Sequence, residues 1–317
     1  MYGVGYRSIH KHCEKIDELN LGDEVKFRVG SEETKYRNAL GRLGYMEIPG
    51  SGISGPIAEL FVWPSLRDYE RTRRADFEDE DPRAFSVESP ATFDLSAFPT
   101  DRLKKCIIVA GPGFGKSALL EAVQNRLLGT QLMPAIIPVA LLAISKFDVL
   151  TYLLEVTNKD FNVDIEWESL CDAGQAVVLF DGLDEVSLTS RKTVLESIHR
   201  FDARYPKTAW VLTVRDPAIL TGPVDGRIFE ILPLGETEVI AFANAWKKRL
   251  PHIDGWELVR RLGSYPDLKL LVRIPLFFVS VARNVEVGEP AAQEPAPVDR
   301  NVSAKPVQSG EIQKNRS

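Results

Sequence analysis

Three short clusters in this chain hold residue types suited to handling a polyphosphate. The first is Ala110-Gly111-Pro112-Gly113-Phe114-Gly115-Lys116-Ser117. Its glycines let backbone N–H groups turn inward around phosphate oxygens. Lys116 is a mobile positive charge for the outer phosphates, and the Ser117 hydroxyl is a ligand type for Mg²⁺. The pattern is that of a phosphate-binding loop, with Ala110 where its first glycine usually stands, and Ala118 carries it into the following turn. The second cluster, Asp181-Gly182-Leu183-Asp184-Glu185, follows an apolar run. Asp181 can hold Mg²⁺ directly or through water, and Asp184 or Glu185 can polarise an attacking water. The third is Thr213-Val214-Arg215, whose guanidinium is suited to touching a γ-phosphate and reporting its loss.

Each cluster also has a plainer reading. The first is a Gly-rich turn before Lys-Ser, the second a turn cluster that caps the next helix. Arg215 is equally readable as a surface residue paired with Asp216. Two further stretches have the look of functional motifs and are read otherwise. Gly50-Ser51-Gly52-Ile53-Ser54-Gly55 has glycines but no following Lys or helix, and reads as a flexible loop. His10-Lys11-His12-Cys13 has no second ligand cluster and makes a poor tetrahedral metal site, so it reads as a solvated segment.

The elements around the clusters must place them. Ile107-Ile108-Val109 reads as a buried strand before the loop. Leu119, Leu120, Val123 and Leu127 recur at helical spacing after it, with Gly129 as the stop. Ala135–Ile144 reads as a second buried strand and Phe147–Val156 as a helix. Val177–Phe180 is a third strand, ending at Asp181. Leu188–Tyr205 is an amphipathic helix with Val194, Leu195, Ile198 and Phe201 inward. Trp210–Thr213 and Ile228–Leu232 are the fourth and fifth strands. Strands that are nearly all apolar and alternate with helices predict a parallel sheet covered on both faces. Beyond Leu234 the pattern is helical: Thr237–Leu250, Trp256–Leu262 and a short helix near Leu276–Ala282. Earlier in the chain, Glu32–Leu43 predicts a helix with Tyr36, Leu40 and Leu43 on one face, and Ala58–Trp63 a strand ending at Pro64. Residues 67–90 mix Arg, Asp and Glu with few apolar anchors, as a solvated insert does. The stretch from Val285, rich in Pro, Glu, Gln and Ser, has the composition of a disordered tail.

Composition narrows the class. The chain has 317 residues, 44% hydrophobic and 26% charged, with net charge −6, which suits a globular protein and argues against broad binding to nucleic acid or anionic membrane. Cys13, Cys106 and Cys171 are too few and too far apart for a disulfide framework, which predicts a reducing interior. The first residues lack the apolar core of a signal peptide, and no apolar run is long enough to span a bilayer. The expectation is a cytoplasmic protein without membrane partners.

The order GPGFGKS, FDGLDE, TVR resembles the NACHT family of signal-transducing P-loop ATPases. The small residue directly after Asp181 and the later Asp184-Glu185 pair carry the resemblance; in ordinary AAA+ ATPases a Glu directly follows that Asp. Ile231-Leu232-Pro233-Leu234-Gly235 leading to Phe242 and Trp246 is similar to the family's entry to its helical domain. Ile274-Pro275-Leu276 is similar to that domain's Pro motif, whose Pro packs near adenine. Phe61–Leu66 is similar to the lead-in. The resemblance covers roughly residues 56–284. Asp216 departs from the family, which has Pro directly after the Arg. The winged-helix domain that the family places after Pro275 is not visible, nor is a sensing repeat or a sizeable effector in residues 1–55, so the expectation is a chain truncated after its first helical domain.

The resemblance implies a P-loop NTPase three-layer α/β sandwich with a parallel sheet, followed by a small helical domain and a disordered C-terminal tail. It implies the division 1–55 N-terminal segment, 56–100 lead-in and insert, 101–234 nucleotide-binding domain, 235–284 helical domain, 285–317 tail. The implied ligands are ATP or ADP and Mg²⁺, with Ala110 to Ala118 and Pro275 at the nucleotide, Ser117 and Asp181 at the metal, and Asp184, Glu185 and Arg215 in slow hydrolysis. ATP over GTP follows from the family, as no Asn-Lys-x-Asp occurs. The implied role is a nucleotide-dependent switch in defence or cell-death signalling, acting by self-association or through a protein partner. The alternative is a non-catalytic nucleotide-binding adaptor or decoy. A P-loop kinase would leave Asp184-Glu185 without a role.

Overall fold

The computed structural model describes residues 32–47, 54–69, 92–93, 95–100, 103–220, 224–247, 249 and 271–278. The expectations for residues 1–31, for 70–91, for Trp256–Leu262 and for the tail from Val285 lie outside the described residues.

The centre is a seven-stranded sheet. Its strands are β3 (Leu66–Asp68), β4 (Thr92–Phe93), β5 (Lys105–Val109), β6 (Met133–Pro138), β7 (Ala176–Asp181), β8 (Ala209–Val214) and β9 (Arg227–Ile231). They lie in the order β4-β3-β9-β5-β8-β7-β6. From β9 to β6 the pairing is parallel, as the near-continuous apolar runs predict. At the other edge β3 is antiparallel to both β9 and β4, so Arg67 and Asp68 belong to the sheet and not to a solvated insert. Ion pairs across that edge, Arg67–Glu230 and Arg227–Asp68 at 2.6 Å each, fix its register.

Side chains alternate across the pleat, so each central strand feeds two cores. Cys106, Ile108, Val177, Leu179 and Val211 face one side. There they meet Leu119, Leu120, Val123 and Leu127 of α3 (Lys116–Leu127). Ile107, Val109, Val178, Phe180, Leu212 and Val214 face the other. That side is covered by α1 (Glu32–Leu43), α4 (Val139–Ser145), α5 (Val149–Tyr152), α7 (Trp167–Ala173) and α8 (Leu188–Arg204). A single α6 turn, Asn158–Asp160, lies between α5 and α7. The three layers follow from strands apolar on both faces. Cys106 and Cys171 are buried free thiols, pushed up to about 12 and about 11 by burial.

Several local expectations are corrected. The apolar run Ala135–Ile144 is not one strand: β6 ends at Pro138, which caps α4. Val139 and Leu142, three apart, are buried while Ile144 is 74% exposed, and that is helical spacing. Pro138 is tolerated because β6 is an edge strand. Residues 58–63 are not a strand either. Ile57–Leu60 is a short helix, α2, burying Ile57 and Leu60 at i, i+3, and 61–65 are irregular. Ser54 and Gly55, read as loop, form β2 (Ser54–Pro56), antiparallel to β1 (Tyr45–Glu47). In α1, Tyr36 and Leu40 enter the core, but Leu43 stays 37% exposed at the helix end. The predicted helix at 147–156 is α5 followed by a π-helical segment, Leu153–Thr157.

A separate apolar cluster joins α9 (Glu236–Trp246) to the lead-in and to residues 271–278. Val239, Phe242 and Trp246 pack there with Leu60, Leu234, Val272 and Phe278. Ser65 Oγ donates to Glu238 Oε1 at 2.7 Å, and Glu238 also accepts from the Gly235 N–H at the start of α9. Among the described residues no helix is long and apolar enough to cross a membrane.

Candidate functional site

The site forms where β5, β8 and β7 end side by side. β8 lies between the other two, so Thr213 and Arg215 fall between the glycine loop and Asp181. The Ala110 N–H donates to the Val214 carbonyl at 3.1 Å, which carries the sheet one residue past β5. Ala110 is buried with Ile108 and Leu119, so the position of the missing glycine is filled by core packing.

The chain then reverses. Gly113 and Gly115 both sit at φ +82°, where a side chain is strained. Gly115 is the N-cap of α3, and no side chain caps that helix. Among the described residues the N–H groups of Lys116, Ser117 and Ala118 have no acceptor. Uncapped N–H groups at a positive helix end form an anion site. Lys116 Nζ turns back and donates to the carbonyls of Ala110 at 2.7 Å and Gly111 at 3.3 Å. Burial lowers its pKa, the charge of Asp184 opposes that, Arg215 adds to the lowering, and Asp181 and Glu185 oppose it. The lysine therefore lies within the field of all four other charged groups of the site.

Asp181 is the last residue of β7, half-buried, and its Oδ1 lies 2.9 Å from Thr213 Oγ1. Gly182 follows at φ +79° and starts the 3₁₀ turn Leu183–Glu185. Asp184 Oδ2 is 2.7 Å from Arg215 Nε. Its Oδ1 is buried with no hydrogen-bond partner among the described residues. Arg191 of α8 donates to the carbonyls of Val186 at 2.9 Å and Asp184 at 3.1 Å, and so pins the turn. Glu185 is exposed, yet its pKa is raised, by partial burial first and then by Asp181 and Asp184.

Pro275 arrives from the far end of the chain. The Leu276 N–H donates to the Gly113 carbonyl at 3.2 Å. A Cβ on Gly113 would stand 3.2 Å from Ile274 Cγ2 and from Leu276 Cβ. Residues 274–276 thus rest directly on the glycine loop. Arg215 does not pair with Asp216, whose Oδ1 instead accepts from the Ala218 N–H at 2.8 Å and caps the turn Pro217–Ile219.

Every candidate residue from Ala110 to Ala118, with Asp181, Asp184, Glu185, Arg215 and Pro275, is therefore at or beside one end of the sheet. Sequence reasoning missed the contacts of Thr213, Arg191 and Leu276. Arg191 looks like any exposed-face residue of α8, and its partners are carbonyls, which carry no sequence signal.

The donors present fit a nucleotide with Mg²⁺. An uncapped helix end and a lysine that donates to loop carbonyls suit phosphate. Ser117 and Asp181 offer the hard oxygens Mg²⁺ takes alongside phosphates and water. The orphaned Asp184 Oδ1 calls for a donor such as a water.

No family model matches the chain, and neither does any curated protein. Solved structures do resemble it. Domain III of the replication initiation protein DnaA from Thermotoga maritima is 16% identical, over 74% of this chain and 91% of that one, with TM-score 0.38. AMPPCP-bound DnaA from Aquifex aeolicus is 13% identical over 58% of this chain, which spans 60% of that one, with TM-score 0.35. C. elegans PCH-2 is 12% identical over 61% and 64%, with TM-score 0.29.

Proposed function

We propose that the chain is an ATP-binding, Mg²⁺-dependent NTPase module of NACHT type that acts as a nucleotide-dependent switch. One observation carries the reading: Lys116, Asp181, Asp184 and Arg215 converge from three adjacent strand ends onto one uncapped helix N-terminus. Residues 101–234 are the nucleotide-binding domain in this reading and 235–284 the helical domain.

The glycine loop and the α3 N-terminus bind the phosphates. Lys116 exchanges its two carbonyl acceptors for the outer phosphates. Ser117 and Asp181 hold Mg²⁺, which when bound offsets phosphate charge. Glu185, with its raised pKa, takes a proton from water more readily than an ordinary glutamate. Asp184 orients that water through its unpartnered oxygen. Arg215 is the group that distinguishes triphosphate from diphosphate. The nucleotide state reaches the helical domain through the 274–276 contact on Gly113. Signalling in defence or cell death, by self-association or a protein partner, is the role this implies.

The adaptor reading has one observation in its favour: Asp184 is occupied by Arg215 and only 12% exposed. Phosphate release from ATP separates the two. The switch reading expects slow turnover that is lost in Glu185→Gln. A chain that binds ATP and never hydrolyses it is an adaptor.

A further inference from the structure

We infer that Thr213 is a positioning residue for the metal carboxylate: it holds Asp181 Oδ1 and leaves Oδ2 for the ion. The inference rests on the reading of Asp181 as a Mg²⁺ ligand.

Thr213 is fully buried, 0% exposed, at the end of β8. Its hydroxyl oxygen lies 2.9 Å from the Gly182 nitrogen and 2.9 Å from Asp181 Oδ1. The Gly182 N–H can only donate, so the hydroxyl accepts there. Its own proton then goes to Asp181 Oδ1, the alternative acceptor, the Phe180 carbonyl, being farther at 3.4 Å. A β-branched side chain in a strand has restricted χ1, so the backbone of β8 itself aims this hydroxyl. The result is a two-point clamp. One bond fixes the left-handed turn at Gly182 that starts the Asp184-Glu185 segment, and the other fixes the carboxylate.

The clamp also ties two functions to one strand. Arg215 follows Thr213 by two residues, so a shift of β8 that moves the guanidinium also moves the anchor of Asp181. Groups that orient a ligating carboxylate typically change metal affinity by about 10- to 100-fold when removed.

The test is equilibrium binding of a fluorescent ATP analogue to the whole chain, in excess Mg²⁺ and again in EDTA. The expected result is that Thr213→Val lowers the Mg²⁺-dependent gain in affinity by about 10- to 100-fold and leaves binding in EDTA close to wild type. Thr213→Ser, which keeps the hydroxyl, retains the gain. Added to Asp181→Asn, Thr213→Val costs nothing further. If the Val variant does not fold, Thr213→Ala is read against Thr213→Ser in the same assay. A Mg²⁺ gain kept without the hydroxyl, equal losses with and without Mg²⁺, or full additivity with Asp181→Asn overturns the inference alone. A wild-type chain that binds no nucleotide overturns the reading of the site, and this inference with it.

Discussion

Arg215 Nε lies 2.7 Å from Asp184 Oδ2, so two charged groups of the candidate site hold each other. Arg215 is 54% exposed and Asp184 12%. An ion pair this open at one end is worth little, about 0–1 kcal/mol, so a phosphate can displace the carboxylate from the arginine. Arg215→Ala should leave ADP affinity nearly unchanged and reduce the preference for ATP, because a γ-phosphate contact acts only on the triphosphate state. Competition titrations with both nucleotides decide it. Equal losses for both would mean that Arg215 serves Asp184 and not the ligand.

The charges around Glu185 set a pH prediction. Burial and the carboxylates of Asp181 and Asp184 raise its pKa, while Arg215 and Lys116 lower it. Below that raised value Glu185 is protonated and cannot accept a proton from water. The acid limb of kcat/KM should therefore be shifted upward from the ordinary glutamate value. Asp184→Asn removes a raising charge and should move the Glu185 titration to lower pH. Arg215→Ala removes a lowering charge and should move it higher. Carboxyl carbon shifts of Glu185, followed by NMR through a pH titration, give both directions. No movement in either variant would show that Glu185 does not share the field of the site.

Gly113 joins the loop to the helical cluster. At φ +82°, and with Ile274 and Leu276 where a Cβ would go, Gly113→Ala is strained twice. A left-handed non-glycine residue costs of order 1–3 kcal/mol. We expect a lower Tm and loss of the Leu276 contact, read as faster amide exchange at Leu276. Unchanged exchange there would mean that the loop and the 274–276 turn are independent.

The strands that position the site were legible because each is a short apolar run ending at a polar or glycine signal: Val109 before the loop, Phe180 before Asp181, Thr213 before Arg215. Charge pattern did not reveal β3. Its three residues, Leu66-Arg67-Asp68, gain strand structure from pairing on both sides and not from their own composition. The run at 135–144 reads as one strand for a related reason: an unbroken apolar stretch has no period to tell strand from helix, and Pro138 is the break. Only the resemblance to a family singles out Pro275. Nothing local to Ile274-Pro275-Leu276 says that it touches Gly113, because that contact closes through backbone N–H and carbonyl groups.

The central claim is that Gly111 to Ser117 hold a polyphosphate with Lys116 as the mobile charge. Equilibrium binding of a fluorescent ATP analogue in Mg²⁺, to wild type and to Lys116→Ala, tests it most directly. The ammonium now donates to the Ala110 and Gly111 carbonyls at 2.7 and 3.3 Å, bonds that a bound phosphate would replace. The account predicts saturable binding to wild type, competed by unlabelled ATP and ADP, and none measurable to Lys116→Ala at the same concentrations, with the fold of the variant intact by circular dichroism. Undiminished affinity in Lys116→Ala would contradict it.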